Sequence, residues 1–343
     1  MKAAVVDGQG GIQVQVVPDL QIDAYQALVK MKACAICNGT DSKIVAGKLP
    51  FVQEYPGIIG HESVGEVIQV GEKVSKYKIG DLVFRPGAFY PEGAELTSCW
   101  GGFAEYGIVS DRESMQSAGL AAPGFAVMQQ VITQPIDPVN ATILITYKEA
   151  LSWLQIFKAS PGESVLIWGS GPVGLSFTYF AKLLGCFPVI VCGRRDSSLQ
   201  DALAMGADHV INTTKEDVLK TVRSLTNQQG VQKIVDAVGD FELVSQSIPM
   251  LAPGGDIGIY GIASGDDEAK KPVIDPGMRY VPWGLKVMGP DEAGAHQQMM
   301  DFIRLGLVNP GFMVDEVIDL KDISHGFSLV RQRKAKKVVV SFD

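Results

Sequence analysis

Apolar and polar side chains alternate in short steps over residues 1 to about 110, with glycine, proline and aspartate between the runs. This alternation is typical of half-buried strands, and it predicts strands at 26–33 and 64–70 and a further one within 74–84. Many short strands separated by turn residues indicate a small β-barrel-like domain. The first part of the chain is therefore expected to be β-rich.

From residue 150 onward the pattern changes to buried apolar strands that alternate with helices. The predicted order is helix 150–158, strand 164–168, a helix ending at 184, strand 188–192, a helix ending at 205, and strands ending at 212 and covering 233–236 and 256–260. Such alternation predicts a doubly wound parallel sheet, so the fold class is α/β. The polar residues 264–275 are expected to form a surface loop, and 336–342 a final strand.

Length and charge limit the classes of function. A chain of 343 residues exceeds the usual size of a single core, so two domains are expected. Its 30 basic and 38 acidic side chains give a net charge of −8, which argues against nucleic acid as a partner. No apolar run approaches the ~20 residues that span a bilayer, and residues 1–7 lack the apolar h-region of a signal peptide and are expected to form a first strand. Five cysteines without a disulfide-framework spacing fit a reducing compartment, so we expect a cytoplasmic protein.

Residues 60–74 combine an imidazole, a carboxylate and a frame of glycines. His61 is the commonest kind of neutral zinc ligand, and Glu62 beside it can bind the metal or fix the geometry of the bound shell. The glycines are Gly60, Gly65 and Gly71, and Val74 follows at a fixed spacing. This spacing matches the whole zinc alcohol dehydrogenase signature, and the chain thereby resembles the zinc-dependent medium-chain dehydrogenase/reductase family.

The resemblance implies a domain organisation. Residues 1–148 together with 290–343 would form a GroES-like catalytic domain, to which the strand 336–342 returns, and 149–289 a Rossmann dinucleotide-binding domain. Relatives are dimers or tetramers, so a homodimer or homotetramer is expected.

A glycine loop follows the predicted strand 164–168 and opens a predicted helix, which is the context that the dinucleotide fingerprint requires. The loop is Gly169, Ser170, Gly171, Pro172, Val173 and Gly174. The first glycine permits the turn, the second lets the backbone approach a pyrophosphate, and the third allows close helix–strand packing. The alternative interpretation is a plain turn.

The second apolar strand indicates which cofactor binds. Counting back from 206–208, which resembles the family's Gly-Ala-Asp turn, the position of the acidic residue that binds the ribose hydroxyl falls on Gly193. Arg194 and Arg195 follow, and guanidinium groups suit a phosphate. NADP(H) is therefore predicted over NAD(H). A solvated basic pair is the alternative.

The remaining site residues are implied by the resemblance. The segment 34–41 resembles the family's Ile-Cys-Gly-Thr-Asp, with Asn38 inserted, so Cys37 would be a zinc ligand. Asp41 would accept a hydrogen bond from His61, and Thr40 would carry the substrate proton toward solvent. Ordinary turn chemistry is the alternative for Thr40 and Asp41.

A third zinc ligand is expected among the carboxylates. Glu149 stands twenty residues before the glycine loop, where polyol dehydrogenases of the family carry a glutamate, although an acidic residue at a helix N-terminus would look the same. Glu62 could share or exchange the role. The family's four-cysteine lobe is missing, since only Cys99 lies between Phe84 and Gly101, so one catalytic zinc and no structural zinc are expected.

The function implied is hydride transfer between NADP(H) and a secondary alcohol or ketone, of a polyol, sugar or cyclitol, at a zinc site. Two alternatives stay open, a zinc-free quinone or enone reductase of the same superfamily and a nicotinamide-binding protein without turnover. Phe89 and Trp100 would wall the substrate pocket or pack in the core. The basic residues 331–337 are expected to form a solvated face.

Overall fold

The computed structural model describes residues 1–49, 52, 54–91, 93–261, 284–287 and 289–342. Contacts divide the chain into two compact units, Met1–Lys148 with Glu292–Asp343, and Glu149–Asp291. The sequence prediction divided the chain at 148/149 and 289/290. The predicted loop 264–275 lies outside the described residues.

The first unit is built on two β-sheets. Its strands are β1 (Lys2–Val6), β2 (Ile12–Val16), β3 (Gln26–Ala35), β4 (Gly57–Ile58), β5 (Glu62–Val70), β6 (Leu82–Phe84), β7 (Thr97–Ser98), β8 (Tyr106–Ser110), β15 (Val314–Asp319) and β16 (Lys337–Ser341). Its helices are α1 (Thr40–Val45), α2 (Arg112–Ser117), α8 (His296–Arg304) and α9 (Ile323–Arg331), with 3₁₀ turns at Gly124–Met128, Pro310–Met313 and Leu320–Asp322. One sheet has the order β2-β1-β4-β7, and the other β15-β16-β3-β5-β6 with β8 also on β3.

Strand β3 explains how distant parts of the chain meet. It pairs antiparallel with β5, which places Ala35 opposite Glu62, and antiparallel with β16, which places Ala35 opposite Val339. The residues just after β3, just before β5 and at the start of β16 therefore lie at one end of the sheet. The predicted strands at 26–33, 64–70 and 336–342 are all confirmed.

The second unit contains a parallel six-stranded sheet. Its strands are β9 (Val165–Trp168), β10 (Val189–Gly193), β11 (His209–Asn212), β12 (Val231–Asp236), β13 (Leu251–Ile259) and β14 (Gly284–Val287); its helices are α4 (Pro172–Leu183), α5 (Asp196–Ala204), α6 (Val218–Leu225) and α7 (Phe241–Ser247), with a 3₁₀ turn at Ile248–Met250. The order β11-β10-β9-β12-β13-β14 confirms the predicted parallel sheet. The order reverses at β9, the position where α/β sheets bind ligands beyond the strand ends.

One helix was predicted too short. The sequence prediction placed it at 150–158, but α3 covers Pro138–Ile156. Its first part is rich in β-branched residues and buried on most sides, so it lacks the amphipathic period that marks a surface helix. Glu149 therefore lies inside the helix and not at its start. Among the described residues, no helix is both long and apolar enough to cross a membrane.

Candidate active site

Three predicted zinc ligands converge at the end of the β3–β5 pair. Cys37 follows β3 and His61 precedes β5, so the register of the two strands brings them together with Glu62. One potential ligand atom from each of the three side chains lies within 4.8 Å of the others. His61 and Glu62 are buried, with exposed fractions of 8% and 2%. A thiol, an imidazole and a carboxylate in this arrangement fit a catalytic zinc, which keeps about three protein ligands.

Asp41 orients His61. It lies in the first turn of α1, it is fully buried, and its Oδ1 is 3.0 Å from His61 Nδ1. Its Oδ2 accepts a hydrogen bond from the backbone N–H of Cys37 at 2.9 Å. A carboxylate on Nδ1 fixes the tautomer and leaves Nε2 for a metal. Asp41 thus contacts two of the predicted ligands, His61 and Cys37, and the inserted Asn38 is accommodated in the turn before α1.

The electrostatics of this group favour a cation. Burial would lower the pKa of His61, but the carboxylate of Asp41 and the sulfur of Cys37 outweigh it and raise that pKa well above its ordinary value. Positive charge is therefore stabilised where a divalent ion would lie. Cys34, in contrast, is fully buried, and burial raises the pKa of its thiol well above the usual range. Cys34 is a packed neutral thiol.

Lys337 is a residue of this site that the sequence prediction assigned wrongly. It was placed in a solvated face, but it is 3% exposed and its Nζ donates to Glu62 Oε1 at 2.6 Å and also to Oε2. Thr146 Oγ1 donates to the same Oε1 at 2.9 Å. Burial would raise the pKa of Glu62, but Lys337 outweighs this and lowers it. The sequence signal for the burial of Lys337 is that it directly precedes the apolar residues of β16.

The contacts of two predicted site residues, Thr40 and Glu149, do not identify their roles. Thr40 is the first residue of α1 and is half-buried. Glu149 belongs to the second unit, where its Oε2 accepts a hydrogen bond from the hydroxyl of Tyr260 at 2.7 Å. The roles of Thr40 in proton transfer and of Glu149 as a zinc ligand stay predictions.

A pocket of about 600 Å³ lies in the first unit, where its lining residue Trp100 is next to His61. It is lined by Val52, Glu54, Phe89, Thr97, Ser98, Cys99, Trp100 and Phe125. The ring of Trp100 lies 5.4 Å from the ring of His61, and Phe89 stacks on Phe125 at 4.4 Å. Phe89 and Trp100 therefore wall a pocket.

The polar groups of the pocket are largely engaged within the protein. The hydroxyl of Thr97 donates to the backbone oxygen of Glu54 at 3.1 Å, and that of Ser98 donates to the backbone oxygen of Ala88. Burial raises the pKa of Cys99 to about 11, so its thiol is neutral near pH 7. The other described lining side chains are the aromatic rings of Phe89, Trp100 and Phe125, the apolar side chain of Val52 and the carboxylate of Glu54.

The glycine loop has the geometry that its spacing predicts. It joins β9 to α4, Gly169 has a φ of +107°, and Gly171 is the residue before the first turn of the helix. A Cβ at Gly174 would come within 1.8 Å of the Gly169 oxygen, so only glycine allows this approach of helix to strand. A Cβ at Gly171 would meet nothing within 4 Å, so the backbone there is open to a ligand.

The end of β10 carries the residues predicted to select NADP(H). A Cβ at Gly193 would lie 2.3 Å from Ser170 Oγ, which is hydrogen-bonded to Ser198 Oγ at 2.7 Å. Arg194 and Arg195 follow on the surface. The nearby carboxylate of Asp196 is paired with Lys215 at 2.5 Å, which reduces its repulsion of a phosphate.

Two family models and several curated proteins match this chain. The family model described as "Alcohol dehydrogenase GroES-like domain" matches residues 23–118, and that described as "Zinc-binding dehydrogenase" matches 172–303. A sorbitol dehydrogenase of Bacillus subtilis is 28% identical over 77% of this chain and 76% of its own. An L-threonine 3-dehydrogenase of Pyrococcus horikoshii is 30% identical over 70% of this chain and 69% of its own.

Solved structures share the fold over nearly the whole chain. The alcohol dehydrogenase TADH from Thermus sp. ATN1 superposes with a TM-score of 0.84 at 24% identity, covering 99% of both chains. A zinc-binding dehydrogenase from Sinorhizobium meliloti bound to NADP superposes with a TM-score of 0.83 at 23% identity, covering 99% of this chain and 98% of the other. These likenesses confirm the predicted GroES-like and Rossmann pair.

Proposed function

Because this chain belongs to the zinc-dependent medium-chain dehydrogenase/reductase family and is an alcohol-type dehydrogenase, we propose that it transfers hydride between NADP(H) and a secondary alcohol or ketone. The observation that carries the proposal is the convergence of Cys37, His61 and Glu62 within 4.8 Å, with Asp41 on the imidazole. A zinc ion held by these residues would supply a Lewis acid for the alcohol hydroxyl, and a nicotinamide cofactor would supply the hydride acceptor.

The residues divide the work as follows. Cys37 and His61 would hold the metal, and Asp41 keeps the ring nitrogen Nε2 of His61 directed at it. Glu62 is bound by Lys337, so it would act beside the metal, or bind it after release from Lys337. Thr40, half-buried at the start of α1, would carry the hydroxyl proton away. Glu149 is the second candidate for the third ligand.

Binding of NADP(H) is supported by the absence of a side chain at Gly193, by the two arginines after it and by the NADP bound in the Sinorhizobium meliloti relative. The phosphate would meet guanidinium groups where NAD-specific enzymes carry an acid. The test is the ratio of kcat/KM for NADPH and NADH. A preference for NADH would refute this assignment.

Two classes of substrate have support. The sorbitol dehydrogenase relative favours a polyol, sugar or cyclitol. The aromatic walls of the pocket favour a secondary alcohol with an apolar body, because the hydroxyls of Thr97 and Ser98 are already engaged. A polyol needs a partner for each buried hydroxyl, and each unpaired one costs about 1–3 kcal/mol. Initial rates with sorbitol, inositol and 1-phenylethanol separate the two classes.

The decisive experiment removes the metal and its ligand. Cys37→Ala is expected to abolish turnover while NADPH binding, followed by fluorescence, is retained. A strong chelator is expected to inactivate the wild type, and added Zn²⁺ to restore it. Chelator-insensitive activity would instead indicate a zinc-free quinone or enone reductase, and no turnover on any alcohol with NADPH still bound would indicate a non-catalytic nicotinamide-binding protein.

A further inference from the structure

A buried charge cluster formed by Arg85, Lys148 and Glu292 lies in the first unit. The exposed fractions of these residues are 7%, 0% and 3%. Glu292 Oε2 lies 2.6 Å from both Nε and Nη2 of Arg85, and Oε1 lies 2.9 Å from Lys148 Nζ. Burial would raise the pKa of Glu292, but the two cations outweigh it and lower that pKa, so the carboxyl group stays ionised.

Arg85 donates hydrogen bonds to the main chain on both sides of Glu62. Its guanidinium Nη1 donates to the His61 carbonyl oxygen at 2.7 Å, and its backbone N–H donates to the Ser63 oxygen at 2.8 Å. Its φ is 54°, in the left-handed region that residues other than glycine rarely adopt. Such a conformation persists only where the surroundings hold it, and it often marks a functional constraint.

We propose that Arg85 is a positioning residue for zinc binding, which fixes the backbone of His61 and Glu62 while Glu292 fixes its guanidinium. The inference rests on the zinc site of the proposed function. A planar guanidinium suits this task, because it donates to the carboxylate and to the carbonyl at the same time in a fixed geometry. An ammonium group is a point charge and does not reproduce both contacts in that geometry.

The charge balance of the cluster provides a matched control. Two cations share one carboxylate, so removing either cation leaves a neutral buried pair. Arg85→Met leaves Lys148 with Glu292, whereas Lys148→Met leaves Arg85 with Glu292. Each change removes one buried positive charge, but only Arg85→Met removes the hydrogen bond to His61. Arg85→Lys is the third variant, since it keeps the positive charge but lacks the planar guanidinium that makes both contacts.

The experiment measures zinc transfer from each zinc-loaded protein to a chromogenic chelator, giving an affinity and a release rate without any turnover. Loss of an interaction that supports a metal ligand typically lowers metal affinity about 10–100-fold. Arg85→Met and Arg85→Lys are expected to lose zinc affinity by about this factor. Lys148→Met is expected to stay within about threefold of the wild type, since the contact of Arg85 with His61 remains. Thermal unfolding of the zinc-free forms shows that each variant is folded.

The outcomes separate this inference from the proposed function. Wild-type zinc affinity in a folded Arg85→Lys protein would overturn the positioning role and leave the zinc enzyme intact. An equal loss in Lys148→Met would also overturn it, because the cluster would then support the fold and not the ligands. A wild-type chain that binds no zinc at all would refute both proposals.

Discussion

Replacing Asp41 by asparagine is expected to weaken zinc binding about 10–100-fold, which corresponds to about 1.4–2.7 kcal/mol. The carboxylate accepts two hydrogen bonds at once, from His61 Nδ1 at 3.0 Å and from the Cys37 N–H at 2.9 Å. An amide has one oxygen and one NH₂ group, so in either orientation it faces one of these donors with a donor. A buried donor left without an acceptor costs about 1–3 kcal/mol, which agrees with the expected loss.

The measurement is zinc affinity by chelator competition, with kcat and KM measured at saturating zinc. Asp111→Asn is the control, because Asp111 is equally buried in the same unit and accepts hydrogen bonds from Ser75, Lys76 and Ser114, away from the predicted ligands. It is expected to lower stability and leave zinc affinity unchanged. Wild-type zinc affinity in Asp41→Asn, or an equal loss in both variants, would refute the reasoning.

Three further predictions follow from buried contacts. Lys337→Met leaves Glu62 without its cation, so the free energy of unfolding of the zinc-free protein, measured in urea, should fall by about 3–5 kcal/mol. Added zinc should restore part of this loss. An unchanged urea midpoint would contradict the prediction. Gly174→Ala should lower the free energy of unfolding by about 1–3 kcal/mol and weaken NADPH binding, because its Cβ would clash with the Gly169 oxygen. Gly171→Ala, whose Cβ meets no atom, should keep the thermal midpoint and weaken NADPH binding alone. Equal thermal midpoints for the two variants would count against the packing argument. Burial, reinforced by Lys148, lowers the pKa of His296 to about 4, so the unfolded state binds the proton more readily and the free energy of unfolding should fall from pH 6.5 toward 4. His296→Gln should therefore reduce the decrease in urea midpoint between pH 7 and 5. An unchanged decrease would refute the assignment.

Local patterns of the sequence were sufficient for much of the fold. The strand periods of β3 and β5, the glycine loop after β9 and the motif at His61 are all local signals, and each element lies where its pattern predicted. The beginning of α3 was not predictable in this way, since a helix buried on most sides has no polar face to give it a period.

The contacts of the charged residues around the site could not be predicted from local sequence patterns. Lys337 was assigned to solvent because lysine usually is, and its partner Glu62 lies 275 residues away in sequence. The buried contact of Arg85 with Glu292 depends on a separation of 207 residues. Neither partner can be identified until the strand order is known. Residue type thus indicated the candidate ligands, whereas tertiary structure revealed which residues contact them.

The position of β16 between β15 and β3 has a consequence for protein synthesis. The ribosome makes Glu62 early, but Lys337 is the 275th residue that it adds after Glu62. At translation rates of about 5–20 residues per second, this takes roughly 14–55 s. Throughout that interval residues 33–35 of β3 lack their partners in β16, and Glu62 lacks its lysine. The dinucleotide-binding half is therefore translated before the metal-binding half can be completed.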